Sequence, residues 1–186
     1  MRLFVAIKIP DDIRTALASF IQEQQAIAPE IRWVRAENLH VTLKFLGHTD
    51  EAKRAAIEKT LAQVRCANAV GLEFRGLGFF PSEKRPRVFW AGMQCSANLQ
   101  ALASDVDNAT HKAGFPLENR LFAPHLTIAR FDSPRIPPQL SSEIATNLGR
   151  TFGAMATNEF HLVESKLKPT GAEYTILHTF RFAGAN

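Results

Sequence analysis

The stretch that decides the fold is residues 40–47, HVTLKFLG. In an extended strand, residues i and i+2 lie on the same face. His40 and Thr42 therefore share one face, while the apolar residues share the other: Val41, Leu43 and Phe45. This pattern predicts a strand that buries its apolar face and presents an imidazole beside a hydroxyl on the opposite face.

The pattern recurs in His125–Arg130, HLTIAR. His125 and Thr127 again share a face, opposite Leu126 and Ile128. Either motif alone is compatible with a structural histidine, but two of them raise the possibility that the polar faces meet in one site. Strict alternation puts Arg130 on the apolar face, so a bulge or the strand end must turn it back, or it has a surface role.

Length and composition limit the class of protein. The chain has 186 residues, 46% of them hydrophobic, which predicts one compact domain or two closely joined lobes. Cys66 and Cys95 form neither a disulfide framework nor a metal-finger spacing, which indicates a reducing cytosol. The N-terminal apolar run is interrupted by Lys8 and ended by Pro10, so we expect no signal segment and a cytoplasmic protein. The net charge of +4 would suit an anionic ligand without identifying one.

Hydrophobic periodicity predicts an α+β chain. We expect strands over 2–9, 31–34, 71–80, 87–93, 160–167 and 174–182, and helices from residue 10 to Pro29, over 51–64 and over 99–113. Residues 133–138 are interpreted as a proline-rich loop and 169–171 as a turn. Each motif follows a helix-containing unit, so a duplicated α+β lobe is plausible.

The paired motifs favour acid–base chemistry on a phosphodiester. One imidazole can donate a proton while another accepts one near neutral pH. The two threonine hydroxyls could bind non-bridging phosphoryl oxygens. A zinc site is the main alternative, but the HxH, HExxH and CxxC spacings are absent from the sequence. The G-x-S-x-G pattern of many serine hydrolases is absent too.

Several other residues have two possible uses. Lys44 shares the predicted face of His40 and could be a cleft cation or a rim charge. Phe4 is either covered by a helix, which we favour, or lines a pocket. Phe4, Trp33 and Tyr174 could stack on a base, although core packing is the commoner use of such rings. The remaining histidines lack a threonine two residues later and are expected to be structural or exposed: His48, His111, His161 and His178.

Five segments in order resemble the RNA 2',3'-cyclic phosphodiesterases, also called 2'-5' RNA ligases, of the 2H phosphoesterase superfamily. They are RLFVAIKIP, WVRAENLHVTLKFLG, RPRVFWAGM, NRLFAPHLTIAR and LVESKLKPTGAEYTIL. The resemblance implies a single bilobal α+β domain over 1–186, with two pseudo-two-fold-related lobes of antiparallel sheet, flanking helices and a cleft between them. It implies an enzyme that uses no metal and no cofactor, and that opens a 2',3'-cyclic phosphate at an RNA end to leave a 2'-phosphomonoester.

The resemblance also implies roles for individual residues. His40 would be the proton donor and His125 the proton acceptor, while Thr42, Thr127 and Arg130 would hold the phosphate. The partner would be RNA or a nucleotide with a cyclic phosphate end. Because no stretch of the sequence approaches transmembrane length, we expect no membrane association, and a monomer is the default expectation. The alternatives are 2'-5' ligation, hydrolysis of another small cyclic phosphate, and a non-catalytic binder of RNA ends.

Overall fold

The computed structural model describes residues 1–169 and 171–182. They contain four α-helices and nine strands, and a single 3₁₀ turn, Ala36–Asn38, precedes the first motif. The elements are β1 (Arg2–Lys8), α1 (Asp11–Ile27), β2 (Arg32–Trp33), β3 (His40–His48), α2 (Glu51–Leu61), β4 (Val70–Phe80), β5 (Val88–Cys95), α3 (Asn98–Lys112), β6 (His125–Arg130), α4 (Pro138–Asn147), β7 (Thr151–Thr157), β8 (Glu159–Lys168) and β9 (Gly171–Arg181).

The strands form two antiparallel sheets, one in each lobe. The first has the order β3-β1-β8-β9 and the second the order β2-β6-β5-β4-β7. One motif strand, β3, belongs to the first sheet and the other, β6, to the second. This arrangement confirms the predicted α+β class with two antiparallel lobes.

The two motif strands have the same structural surroundings. Each follows a helix and pairs antiparallel with the strand before that helix: β1-α1-β3 in the first lobe and β5-α3-β6 in the second. Each helix packs towards the other lobe, because α1 contacts β7 and α3 contacts β3. One continuous hydrophobic core contains residues of both sheets. The assignment of the whole chain to one domain stays a prediction.

A β-bulge interrupts β3 immediately after the first motif. Ala6 pairs with Thr42, but the preceding residue Val5 pairs with Lys44, so Leu43 is the extra residue. Leu43 and Lys44 consequently both turn to the interior, where they are 6% and 4% exposed. A bulge of this kind shifts the side chains that directly follow it to the opposite face of the strand, and β3 has a second register shift at Leu46.

The second motif strand has a bulge at the equivalent position. On β6 the extra residue is Ile128, directly after Thr127, and both Ile128 and Ala129 are fully buried. Arg130 is therefore returned to the face of His125. Of the alternatives that alternation left open for Arg130, the bulge is the one found.

Two elements were missed by the sequence prediction. The proline-rich segment ends in α4, which begins at Pro138 and buries Leu140 and Ile144. Proline is favoured at a first helical position because its fixed φ suits the helix and no amide partner is needed there. Strand β7 pairs with β4 although its sequence, TFGAMAT, is short of branched apolar residues. In the predicted turn at 169–171, Thr170 lies outside the described residues.

Candidate active site

Both motif strands line one cavity of about 270 Å³ between the lobes, and β3 contacts β6 directly. The cavity contains all five residues that the sequence singled out: His40, Thr42, His125, Thr127 and Arg130. Four further lining residues belong to neither His-x-Thr pair and were not predicted from the sequence: Val34, Asn38, Phe45 and Val88. Tyr174, considered above as a possible stacking residue, completes the lining.

The imidazole of His40 is oriented by the backbone two residues before it. Nδ1 lies 2.6 Å from the carbonyl oxygen of Asn38, and since a carbonyl only accepts, Nδ1 carries a proton and donates it. Nε2 is left for the cleft, 2.9 Å from Thr42 Oγ1. The Asn38 side chain donates to the carbonyl of Ala172 at 2.7 Å, which ties this turn to β9. Ring orientation and tautomer are therefore fixed before any ligand binds.

His125 has the same type of support. Its Nδ1 donates to the carbonyl oxygen of Ala123 at 2.8 Å, again two residues before the histidine. The ring of Phe80 meets the imidazole edge-on, with centroids 4.9 Å apart. A backbone carbonyl leaves no side-chain signature, so neither supporting residue could be found from residue type.

The two histidines differ in their aromatic neighbours. The ring centroid of His40 lies 4.7 Å from that of Phe4 and 5.2 Å from that of Tyr174. Phe4 thus lies beside the site and lines a cavity with His40. The favoured prediction that a helix covers Phe4 is wrong, because the helix-covered face of β1 is the Leu3 and Val5 face.

Burial changes the acid–base properties of His40. Desolvation lowers its pKa below the ordinary histidine value; the hydrogen bond to Asn38 opposes this, and the positive charge of Arg130 lowers the pKa further. Burial also raises the pKa of Tyr174. In the free protein His40 therefore favours its neutral form, and Arg130 is close enough to influence it.

Lys44 is not a cleft cation, and that interpretation is wrong. The bulge turns its side chain inward, where only 2% of it is exposed and the ammonium group pairs with Asp107 of α3. Nζ also donates to the carbonyl oxygen of Pro116 at 2.6 Å. Glu118 N lies 3.1 Å from Asp107 Oδ2, so the same carboxylate holds the loop that follows α3.

The other histidines lie outside the cleft. His161 is buried on β8, its Nδ1 is 3.0 Å from Thr179 Oγ1, and burial lowers its pKa. His111 bonds the carbonyl of Phe115 at 2.9 Å, a structural role. Across residues 1–169 and 171–182, no group of three or more His, Cys, Asp or Glu side chains is arranged to hold a metal ion. Over the same residues, no helix has both the length and the apolar composition needed to span a bilayer.

Two His-x-Thr strands that face one cleft from pseudo-symmetric lobes form the type of site found in 2H phosphoesterases. Residues 7–90 and 93–174 match the model of the LigT-like phosphoesterases. The chain belongs to this family, which confirms the resemblance noted in the sequence.

Relatives and solved structures agree with this assignment along nearly the whole chain. An RNA 2',3'-cyclic phosphodiesterase of Archaeoglobus fulgidus is 35% identical over 97% of this chain and 99% of its own length. One from Thermotoga maritima is 30% identical over 99% of this chain and 97% of its own length. The crystal structure of E. coli LigT complexed with 3'-AMP superposes with a TM-score of 0.79 at 30% identity, covering 97% of each chain.

Proposed function

We propose that the protein is an RNA 2',3'-cyclic phosphodiesterase that opens the cyclic phosphate of an RNA end to a 2'-phosphomonoester. The observation that carries the proposal is the position of both His-x-Thr motifs in one cavity beside Arg130. Curated relatives of this name match the chain end to end, and a structural neighbour is complexed with 3'-AMP. The chemistry required is proton transfer at both ends of an in-line displacement, together with stabilisation of phosphoryl charge.

His125 accepts the proton of the attacking water through Nε2, the ring nitrogen that its backbone contact leaves unoccupied. As the new P–O bond forms, the bond from phosphorus to O3' breaks, and His40 Nε2 gives its proton to the departing O3'. The atoms balance: one water is consumed, and the products are a 2'-phosphate and a 3'-hydroxyl. This division of roles follows the resemblance, since the backbone contacts of the two rings are equivalent.

Arg130 and the two threonines bind the phosphoryl oxygens. The hydroxyls of Thr42 and Thr127 lie on the cleft face of their strands and donate to the non-bridging oxygens, while the Arg130 guanidinium adds a permanent charge. The bound phosphodiester anion favours the protonated form of His40 and opposes the effect of burial. Substrate binding would thus load the proton that the leaving oxygen needs.

The environment of the enzyme completes the proposal. The reaction uses no metal, because His40 and His125 supply both proton transfers. We place the enzyme in the cytoplasm as a monomer; the two free cysteines, Cys66 and Cys95, suit a reducing compartment.

An end-product assay tests the function. A 5'-labelled oligoribonucleotide with a 2',3'-cyclic phosphate end is incubated with the protein, and the product ends are identified by nuclease and phosphatase treatment. We expect 2'-phosphate ends, in the presence or absence of EDTA. A 3'-phosphate product, a joined strand, binding without turnover, or activity that EDTA abolishes and zinc restores would contradict the corresponding part of the proposal.

A further inference from the structure

Phe45 is an apolar ring exposed beside the catalytic motifs. It is 62% exposed, lines the cleft and lies with its ring centroid 6.2 Å from that of Phe4. A single exposed apolar side chain on a protein surface is ordinary. The position of Phe45 is unusual, because its ring continues the row of aromatic rings that Tyr174 and Phe4 form beside His40.

The orientation of Phe45 is fixed by the structure beneath it. The bulge that sends Lys44 inward is the feature that turns Phe45 to the cleft, and the ion pair with Asp107 holds Lys44 in that position. In the other lobe the equivalent bulge presents Arg130 at the equivalent place. The two lobes thus present a cation and an aromatic ring at matching positions of the cleft.

A second cavity of about 380 Å³ opens from the cleft at Phe45. It shares Thr42, Phe45 and His125 with the cleft and extends to the loop 118–123. Its volume falls within the roughly 300–1,000 Å³ typical of small-ligand sites. A chain bound with its terminal phosphate between the histidines could continue directly into this space.

The far wall of this second cavity carries Arg120. Among the described residues no carboxylate pairs with Arg120, whereas Asp107, at the base of the wall, is neutralised by Lys44. The loop is anchored because Glu118 N bonds the Asp107 carboxylate and Pro116 O accepts from Lys44. One buried ion pair therefore positions both walls of the cavity.

We propose that Phe45 and Arg120 form a subsite for the nucleotide on the 5' side of the cyclic phosphate terminus. The ring stacks on the base of that nucleotide, and the guanidinium contacts the phosphate that links it to the terminal nucleoside. Stacking on one ring is tolerant of sequence, because every base has a π face. The inference rests on the proposed RNA substrate and adds that the enzyme prefers an oligonucleotide end to a mononucleotide.

The test compares two lengths of ligand in binding and in turnover. Calorimetry measures the affinities for 3'-AMP and for the dinucleotide ApA with a 3'-phosphate, and initial rates are measured on the corresponding cyclic phosphates. We expect the wild type to prefer the dinucleotide in both measurements. Phe45→Ala should reduce that preference about 5- to 100-fold, whereas Phe45→Trp, which keeps an aromatic face, should retain it.

Matched variants separate specific contacts from disturbance of the loop. Arg120→Ala should reduce the dinucleotide preference and its dependence on salt, while Glu118→Ala on the same loop should not reduce it. Leu148→Ala and Arg65→Ala, which remove an exposed apolar residue and an exposed cation away from the cleft, serve as general controls.

The possible results distinguish this inference from the proposed function. Turnover of both lengths with equal affinity, or equal losses in Arg120→Ala and Glu118→Ala, would overturn the subsite and leave the hydrolytic function intact. A dinucleotide preference that Phe45→Ala removes, in a protein that turns over neither cyclic phosphate, would support the subsite and contradict the function.

Discussion

His40 Nε2 and Thr42 Oγ1 lie 2.9 Å apart on the cleft face of β3, one residue before the bulge. The hydroxyl is thereby held beside the ring nitrogen that faces the cleft. This contact and the Nδ1 bond to Asn38 occupy both ring nitrogens, so the imidazole is already oriented in the free protein. Such pre-orientation is what efficient proton transfer requires.

Loss of either histidine should reduce the rate severely. We expect His40→Ala and His125→Ala each to lower kcat about 10²- to 10⁴-fold, the contribution typical of one positioned acid or base. Affinity for 3'-AMP should change little, which calorimetry would measure. His48→Ala, at the exposed end of β3, provides a control from outside the cleft, and wild-type turnover in either cleft variant would exclude the two-histidine mechanism.

A substrate with a better leaving group should show which of the two histidines is the proton donor and which is the acceptor. In a substrate whose 3' oxygen is replaced by sulfur, the departing thiolate needs no proton. The defect of His40→Ala should then shrink by at least tenfold, while that of His125→Ala should persist. Single-turnover rates on the two substrates give the comparison, and the reverse pattern would exchange the two roles.

The threonine hydroxyls should act on the rate more than on affinity. Thr42→Val and Thr127→Val remove a donor to the phosphoryl oxygens with little change of shape. We expect each to lower kcat about 10²-fold. Thr→Ser at the same positions keeps the hydroxyl and should restore most of the rate in steady-state assays. Serine variants as impaired as the valine variants would indicate a packing role instead.

Arg130 should influence the pKa of His40. Its positive charge disfavours protonation of the imidazole, so Arg130→Gln should raise the pKa of His40, which an NMR titration of the ring resonances would measure. Burial continues to lower the pKa, so the rise should be partial. Arg32→Gln, which removes a cation paired with Asp132, is the control. If the pKa of His40 is the same in Arg130→Gln as in the wild type, the charge of Arg130 does not influence His40.

The free energy of unfolding should decrease as the pH falls below about 6.5, the ordinary pKa of histidine. The pKa values of His40 and His161 are lowered by burial, so near pH 6.5 these two side chains take up protons more readily in the unfolded chain than in the folded one. The free energy of unfolding should therefore be lower at pH 5.5 than at pH 7.5 in urea titrations. His161→Gln should reduce that difference, because it removes one of the two imidazoles whose pKa is lowered by burial.

Removing one partner of the ion pair between Lys44 and Asp107 should lower the free energy of unfolding. Asp107→Leu leaves a buried ammonium group without its carboxylate and should cost roughly 3 kcal/mol of unfolding free energy, measured in denaturant. The double variant Lys44→Met/Asp107→Leu should be less destabilised than this single variant. The exposed pair of Arg54 and Glu51 on α2 offers a comparison, with an expected loss below about 1 kcal/mol.

Periodicity predicted the two motif strands and the shared face of each His-x-Thr pair, but alternation failed one residue beyond each threonine. Sequence spacing alone does not reveal a bulge, because the extra residue, Leu43 or Ile128, is as apolar as a regular strand position. Lys44 was consequently interpreted as a cleft cation or a rim charge, and Phe45 was placed on the buried face; both alternatives for Lys44 are wrong, because its side chain is 2% exposed. Asp107, the partner that holds Lys44 in the interior, lies 63 residues away on helix α3.

The missed elements have a different cause. Helix α4 follows a run of prolines that also fits a loop, and only two of its residues, Leu140 and Ile144, are buried against the core. Strand β7 is defined by pairing with β4 more than by its own sequence. In both cases tertiary packing stabilises an element whose local sequence preference is weak.

A helix from each lobe packs against a strand of the other lobe, and this packing limits how the enzyme can admit its substrate. Because α1 packs against β7 and α3 against β3, separating the lobes would expose residues of one continuous hydrophobic core to solvent. A hinged enzyme closes around its substrate and excludes solvent by motion. Here we expect a fixed aperture instead: RNA ends would be selected by whether they fit an opening whose width is set when the chain folds.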